Sequence, residues 1–402
     1  MTPETTENKI VDNIVEGFPR ELLNKPGEER LKYFQDYAVA HPVLVETFNK
    51  LWRAVKDPKP GSLVLVYGPA GVGKTTLLEY LEKRIREELS QQLIDDREMI
   101  PLVKVEAKCP ENGNFNWKTL FRSMLRNLAE PAIDQKLDMS KWIGMWDYYR
   151  QTANNKTTPA DKLREVVEQA LKRRRPKSVL IDEAQHITIL ASGRKLNDQQ
   201  NTVKSIANFT GTTHILFGNY DLLLLRNLNG QVVRRSVDLH FRRYDHTSIS
   251  DVKAFKNVLW QFQNHLPLEE TPDLVSNWQF LYTRSAGCIG VVKETINRAL
   301  SHALDEESKT LEMRHLESAA LSLAQASKLL DEALDGEDKL MDEEEEAQTL
   351  ENRLWVQDNP RTAIKIVKKN GDVKPASPGP KPRSVGVRNQ KRDAVGAGRK
   401  YA

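Results

Sequence analysis

Residues 62–80 read SLVLVYGPAGVGKTTLLEY, and this stretch decides the fold class. Its first half is a short apolar, β-rich run of the kind that fills a buried parallel strand. Its middle, GPAGVGKT from Gly68 to Thr75, matches G-x-x-x-x-G-K-[ST]. Gly68, Gly71 and Gly73, with Pro69, Ala70 and Val72 between them, let the backbone wrap so that successive N–H groups point at phosphate oxygens. Lys74 is expected to reach the β- and γ-phosphates and the Thr75 hydroxyl to ligate Mg²⁺, with Thr76 counted among the nucleotide-binding residues. The helix that opens here adds the positive end of its dipole. The expected ligands are ATP and Mg²⁺.

The second half of such a site needs a carboxylate at the end of a neighbouring strand. SVLIDEAQH, residues 178–186, supplies one: four residues carry Asp182 to a strand terminus, where ligands bind in parallel sheets. Asp182 is expected to hold Mg²⁺ through water, and Glu183 to polarise the attacking water of a hydrolysis. HILFGNYDLL, residues 214–223, ends another strand on Asn219. That side chain either orients the lytic water or merely starts the turn after Gly218. In GQVVRRSVDLHF, residues 230–241, Arg234 and Arg235 precede a strand at the far side of the sheet. They suit a trans-acting finger on a neighbouring subunit's nucleotide, or else are surface arginines.

Outward from these motifs, strands are expected at 62–68, 99–107, 178–186, 214–220 and 236–241, alternating with helices. That order implies an α/β fold with a five-stranded parallel sheet covered on both faces. The domain reading is a loose arm over 1–28, a nucleotide-binding core over 29–248 and a purely helical lid over 249–330. An acidic linker follows over 331–358 and a basic tail over 359–402. Residues 131–160, with Trp142 and Trp146, read as an irregular insertion.

The bulk composition is that of a soluble chain: 39% hydrophobic, 29% charged, mean hydropathy −0.58 over 402 residues. No run of eighteen apolar residues occurs, so no membrane span is expected, and the N-terminus lacks a signal pattern, which points to the cytoplasm. Cys109 and Cys288 are too few for a zinc site and fit a reducing compartment. Sixty basic residues stand against 56 acidic ones, so the local distribution carries more than the total. DEALDGEDKLMDEEEE (331–346) is strongly acidic, and residues 359–402 hold twelve Lys and Arg against two Asp. An acidic hinge before a basic, core-poor tail is the pattern of an interaction arm, and equally of a solvated linker.

With these residues in place the chain resembles the AAA+ ATPases, and among them the transposition regulators of the TnsC, TniB and MuB type. The resemblance is nearest to TnsC proteins of Tn7-like elements, including CRISPR-associated ones. It rests on RLKYFQDYAVAHP, YGPAGVGKTTL, LIDEAQHI, VKSIANFTGTTHILFGNYDLL, NGQVVRRSVDLHFRRY and SAGCIGVVKETINRAL, spread over about residues 30 to 305. DEAQH joined to GNYDLL and GQVVRR…HFRRY is the narrow part. The resemblance implies a bacterial ATPase in which Asn219 is the first sensor and Arg235 the arginine finger. Where many AAA+ members carry a second-sensor arginine in G-x-x-R, this chain has GCIG with Gly290, and Lys293 one turn on is the candidate substitute. That departure implies slow turnover more than lost binding.

The resemblance further implies a homo-oligomeric ring or filament around double-stranded DNA. Such an assembly would be held by a target-selector protein of the TniQ or TnsD type and recruit transposase subunits, with the basic tail docking a transposase subunit or simply attracting DNA. Candidate DNA contacts are Lys108 and Lys118 after the second strand, and Arg194 and Lys195 in the loop SGRKLND. A helicase loader of the DnaC type or a clamp-loader-like motor is the alternative reading, and a signalling NTPase without a DNA role a third.

Overall fold

The computed structural model describes residues 17–58, 62–109, 115–130, 159–188, 194–226 and 236–355. The insertion around Trp142 and Trp146, Arg234 and Arg235, the N-terminal arm through Glu16 and the basic tail lie outside them. The chain divides into a compact unit through Asp342 and a second unit from Glu343 onward, of which helical residues through Trp355 are described.

Five parallel strands form one sheet: β1 (Leu63–Tyr67), β2 (Leu102–Glu106), β3 (Ser178–Asp182), β4 (Thr213–Gly218) and β5 (Ser236–His240). Their order is β2-β3-β4-β1-β5. β1 lies inside, pairing Val64 with Ile215 on one side and with Val237 on the other. All five β1 residues are buried, as expected of an inner parallel strand covered on both faces. The two-residue period then sorts them. Val64 and Val66 join one core cluster, and Leu63, Leu65 and Tyr67 the other. The first cluster is completed by α1 (Gly27–Asp36), α2 (Pro42–Lys56) and α3 (Lys74–Glu88). The second is completed by α4 (Trp117–Asn127), α5 (Pro159–Arg174) and α6 (Arg194–Thr210). β5 is an edge strand, and Val237 remains 36% exposed.

The C-terminal helices are α7 (Ile249–His265), α8 (Trp278–Ser285), α9 (Ile289–Asp305), α10 (Met313–Ala319) and α11 (Leu323–Trp355). α7 and α9 share the first core cluster with α1 through Phe34, Phe262 and Ile296. No described helix is long and apolar enough to cross a membrane.

Two expectations change. The acidic stretch from Asp331, expected as a linker, is helical throughout its described length, inside α11, and Ala333 is fully buried. Ala326, Leu329 and Ala333 give α11 an apolar stripe that acidity in the raw sequence conceals. Arg194 and Lys195 open α6 rather than lying in a loop. No Gly or Pro stands between Arg194 and Thr210 to stop the helix short.

Candidate functional site

The phosphate loop joins β1 to α3. Gly73 is the N-cap of α3 at φ 114°, a backbone setting that a side chain resists. Lys74 begins the helix, and its Nζ donates to the carbonyls of Gly68 (3.0 Å) and Pro69 (2.9 Å). Burial lowers the ammonium's pKa, while the nearby carboxylates of Glu183 and Asp182 oppose that shift.

The loop forms one side of a cavity of about 610 Å³, a size suited to a nucleotide. Of the residues expected at the site, Pro69, Ala70, Gly71, Gly73, Lys74, Thr75, Thr76, Glu183 and Asn219 line it. Gly68 and Val72 stand behind the loop. A side chain at Gly68 would meet the Phe241 carbonyl, and Val72 is buried.

β3 ends on Asp182, whose carboxylate accepts from the Glu183 N–H at 2.9 Å. Burial raises its pKa, opposed by that N–H. Glu183 sits at φ 51°, a left-handed setting that costs roughly 1–3 kcal/mol and turns its side chain into the cavity. Its Oε2 accepts from Gln185 Nε2 at 2.5 Å, and the Gln185 Oε1 lies 3.4 Å from the Asn219 N–H. Gln185, absent from the sequence reading, therefore ties the ends of β3 and β4 together. Asn219 is both turn and cavity wall: its Oδ1 accepts from the Asp221 N–H at 3.0 Å, its Nδ2 donates to Asp221 Oδ2 at 3.1 Å, and it lines the cavity.

The donor set fits Mg²⁺ with a nucleotide. No group of three or more His, Cys, Asp or Glu among the described residues forms a ready metal cage. Magnesium asks for less, taking one or two protein oxygens together with phosphates and water. Thr75 and Glu183 offer hard oxygens in the cavity, whereas Asp182, expected as a magnesium ligand, is not among the residues that line it.

Gly290 explains the absent second-sensor arginine. The N-terminus of α9 lies directly on the phosphate loop, with the Val291 N–H donating to the Gly71 carbonyl at 3.2 Å. A Cβ at Gly290 would stand 2.5 Å from that same oxygen. Lys293 does not take over the sensor's place. It is not among the cavity residues, and its Nζ donates to the carbonyls of Phe34 and Tyr37 (2.6 Å to the latter) and lies 3.9 Å from the Phe34 ring centre. One turn beyond Gly290 it faces α1, and burial lowers its pKa to about 7.

Lys108 and Lys118 are exposed, after β2 and in the first turn of α4. Tyr220, Asp221, Glu294 and four residues of α11 (Glu332, Asp335, Gly336 and Lys339) also line the cavity. Tyr220, Asp221 and Glu294 fall within the stretches GNYDLL and SAGCIGVVKETINRAL, but the four α11 residues lie outside every nucleotide-site motif.

A phosphate loop at the C-terminal end of β1, in a β2-β3-β4-β1-β5 parallel sheet with a helical C-terminal region, defines an α/β nucleotide-binding fold of the P-loop kind. Residues 57–225 match the family described as AAA domain. Among curated proteins there is no match. Among solved structures, the chain is similar to the Aeropyrum pernix ORC2 protein in ADPNP-ADP complexes, at 15% identity and TM-score 0.46, over 73% of this chain and 71% of that one. It is similar to the ORC1 protein of Aeropyrum pernix in complex with DNA, at 17% identity and TM-score 0.47, over 72% and 68%. Domain III of the Thermotoga maritima replication initiation protein DnaA is similar at 14% identity and TM-score 0.34, over 75% and 97%.

Proposed function

We propose that the chain is an ATP-dependent DNA-binding regulator of DNA transposition, a slow ATPase that assembles on double-stranded target DNA. In this reading it links a target-selector protein to the transposase, ATP binding favours assembly and hydrolysis loosens it. The observation that carries the nucleotide part is the gathering of Lys74, Thr75, Glu183 and Asn219 around one cavity. The transposition part is supported by the resemblance of DEAQH, GNYDLL and GQVVRR…HFRRY to the TnsC type, and by the basic tail.

The reading gives each residue a task. Loop N–H groups and the Lys74 ammonium bind the β- and γ-phosphates. Thr75 and Asp182 would hold Mg²⁺, which when bound offsets phosphate charge. Glu183, fixed by Gln185, accepts a proton from the attacking water, and Asn219 orients that water. Arg235, or Arg234 beside it, completes a neighbour's site. Lys108, Lys118, Arg194 and Lys195 contact DNA phosphates, and the tail docks a transposase subunit.

Gly290 supports slow turnover, since no arginine on α9 can reach the phosphates from that position. Glu183→Gln is the test. It is expected to lower hydrolysis by roughly 10²-fold or more while nucleotide affinity persists. The variant should stay on duplex DNA and retain transposase recruitment. Fast DNA-stimulated turnover in the unaltered protein, with DNA release in a non-hydrolysable analogue, would indicate a loader or motor instead.

A further inference from the structure

α11 presents two adjacent stripes to the rest of its unit. Glu332, Asp335, Gly336 and Lys339 recur at helical spacing and line the nucleotide cavity. Ala333, Glu337 and Leu340 form the neighbouring stripe, which anchors the helix. Ala333 is fully buried, and Leu340 packs on the core cluster beneath β1 and β3. Glu337 receives both arms of the Arg243 guanidinium, at 3.0 and 2.9 Å, with side-chain exposures of 26% and 11%. Such a two-armed, largely desolvated pair fixes orientation as well as position.

Gly336 completes the seat. A Cβ there would fall 2.1 Å from Cδ2 of Tyr220, so only glycine lets the helix lie this close to the ring. Tyr220 is itself held by His240 Nε2 at 2.9 Å. Glycine inside a helix is unfavourable by roughly 1 kcal/mol relative to alanine, and here the close contact accounts for it.

The charge carried into the cavity is of the wrong sign for a polyphosphate. Glu332 and Asp335 join Glu183, Asp221 and Glu294, so five carboxylates face two amines, Lys74 and Lys339. Lys74 meanwhile turns back onto its own loop's carbonyls.

We infer that residues 332–340 of α11 are an acidic strap over the nucleotide cavity, competing with the phosphates and latched by the Glu337–Arg243 pair and the Gly336 seat. The inference rests on reading the cavity as a nucleotide site. The cavity has the volume for a nucleotide with the strap in place, so the opposition is one of charge: bound phosphates repel the strap's carboxylates, which couples occupancy of the site to loosening of the chain's acidic segment.

The test uses the full chain and a fluorescent ATP analogue with Mg²⁺. Glu332→Gln combined with Asp335→Asn should bind roughly tenfold tighter at low salt, the gain shrinking as salt rises. Glu337→Gln should tighten binding through an opened latch, and the reciprocal exchange Arg243→Glu with Glu337→Arg should return it toward the unaltered value. Amide exchange over 332–340 should speed up when nucleotide binds. Unchanged affinity in the neutralised variant, or added protection over 332–340 on binding, overturns the strap and makes α11 a fixed wall of the site. Absence of nucleotide binding in every variant, the neutralised one included, instead overturns the reading of the cavity, and the strap with it.

Discussion

Replacing Gly290 by alanine adds one methyl group where α9 meets the phosphate loop. The new Cβ would lie 2.5 Å from the Gly71 carbonyl oxygen, whereas ordinary contact begins near 3.4 Å, so α9 must retreat by about 0.9 Å. The obstacle is backbone, which cannot swing aside as a side chain can. Retreat also stretches the hydrogen bond from the Val291 N–H to Gly71, now 3.2 Å. Overpacking of this kind costs about 1–3 kcal/mol, and a lost hydrogen bond about 1 kcal/mol. Alanine's better helix propensity returns up to about 1 kcal/mol, so the steric effect wins by about 1–3 kcal/mol. Thermal unfolding followed by a dye should show Tm lowered by roughly 2–10 °C. Nucleotide affinity should weaken as well, because the loop is displaced with the helix. An alanine variant with unaltered Tm and affinity would refute the claim that packing, rather than a vacated sensor, requires glycine here.

Three further outcomes follow from side chains around the site. Lys293→Met should leave nucleotide affinity within about twofold while changing Tm, since Lys293 bonds to Phe34 and Tyr37; a much larger loss in nucleotide titration would return it to the phosphates. His41 and His214 are buried, and burial lowers each imidazole to about 4. Between pH 6.5 and 4 the unfolded chain takes up protons that these groups refuse, so their stabilisation, complete above pH 6.5, is lost as pH falls. Each contributes at most about 3 kcal/mol, and Tm measured across that window should drop accordingly. Asp251→Ala removes a carboxylate that accepts from both arms of Arg242 and from the Asp245 N–H (3.0 Å) at the start of α7. Urea unfolding should report a loss of about 2–4 kcal/mol, and a loss below about 0.5 kcal/mol would mean that solvent already screens the pair.

Local chemistry made much of the fold legible in the sequence. GPAGVGKT needs its glycines and lysine in that order to wrap an anion, and SVLID needs an apolar run to carry Asp182 to a strand end. Both constraints operate within about ten residues, so they survive in the linear text. The same holds for the strand-and-helix alternation, which requires a parallel sheet whatever the packing details.

Tertiary structure decided what depends on distant segments meeting. The role of Gly290 is set by a carbonyl more than two hundred positions away, and Lys293 points to α1 only because α1 packs there. The acidic run from Asp331 looked like a linker because its charges outnumber its apolar residues. Ala326, Leu329 and Ala333 nevertheless bury one stripe, and Gly336 fits against Tyr220. Motifs record the part of a site that one segment builds alone. The opposite wall is chosen by packing energy summed over residues that carry no motif.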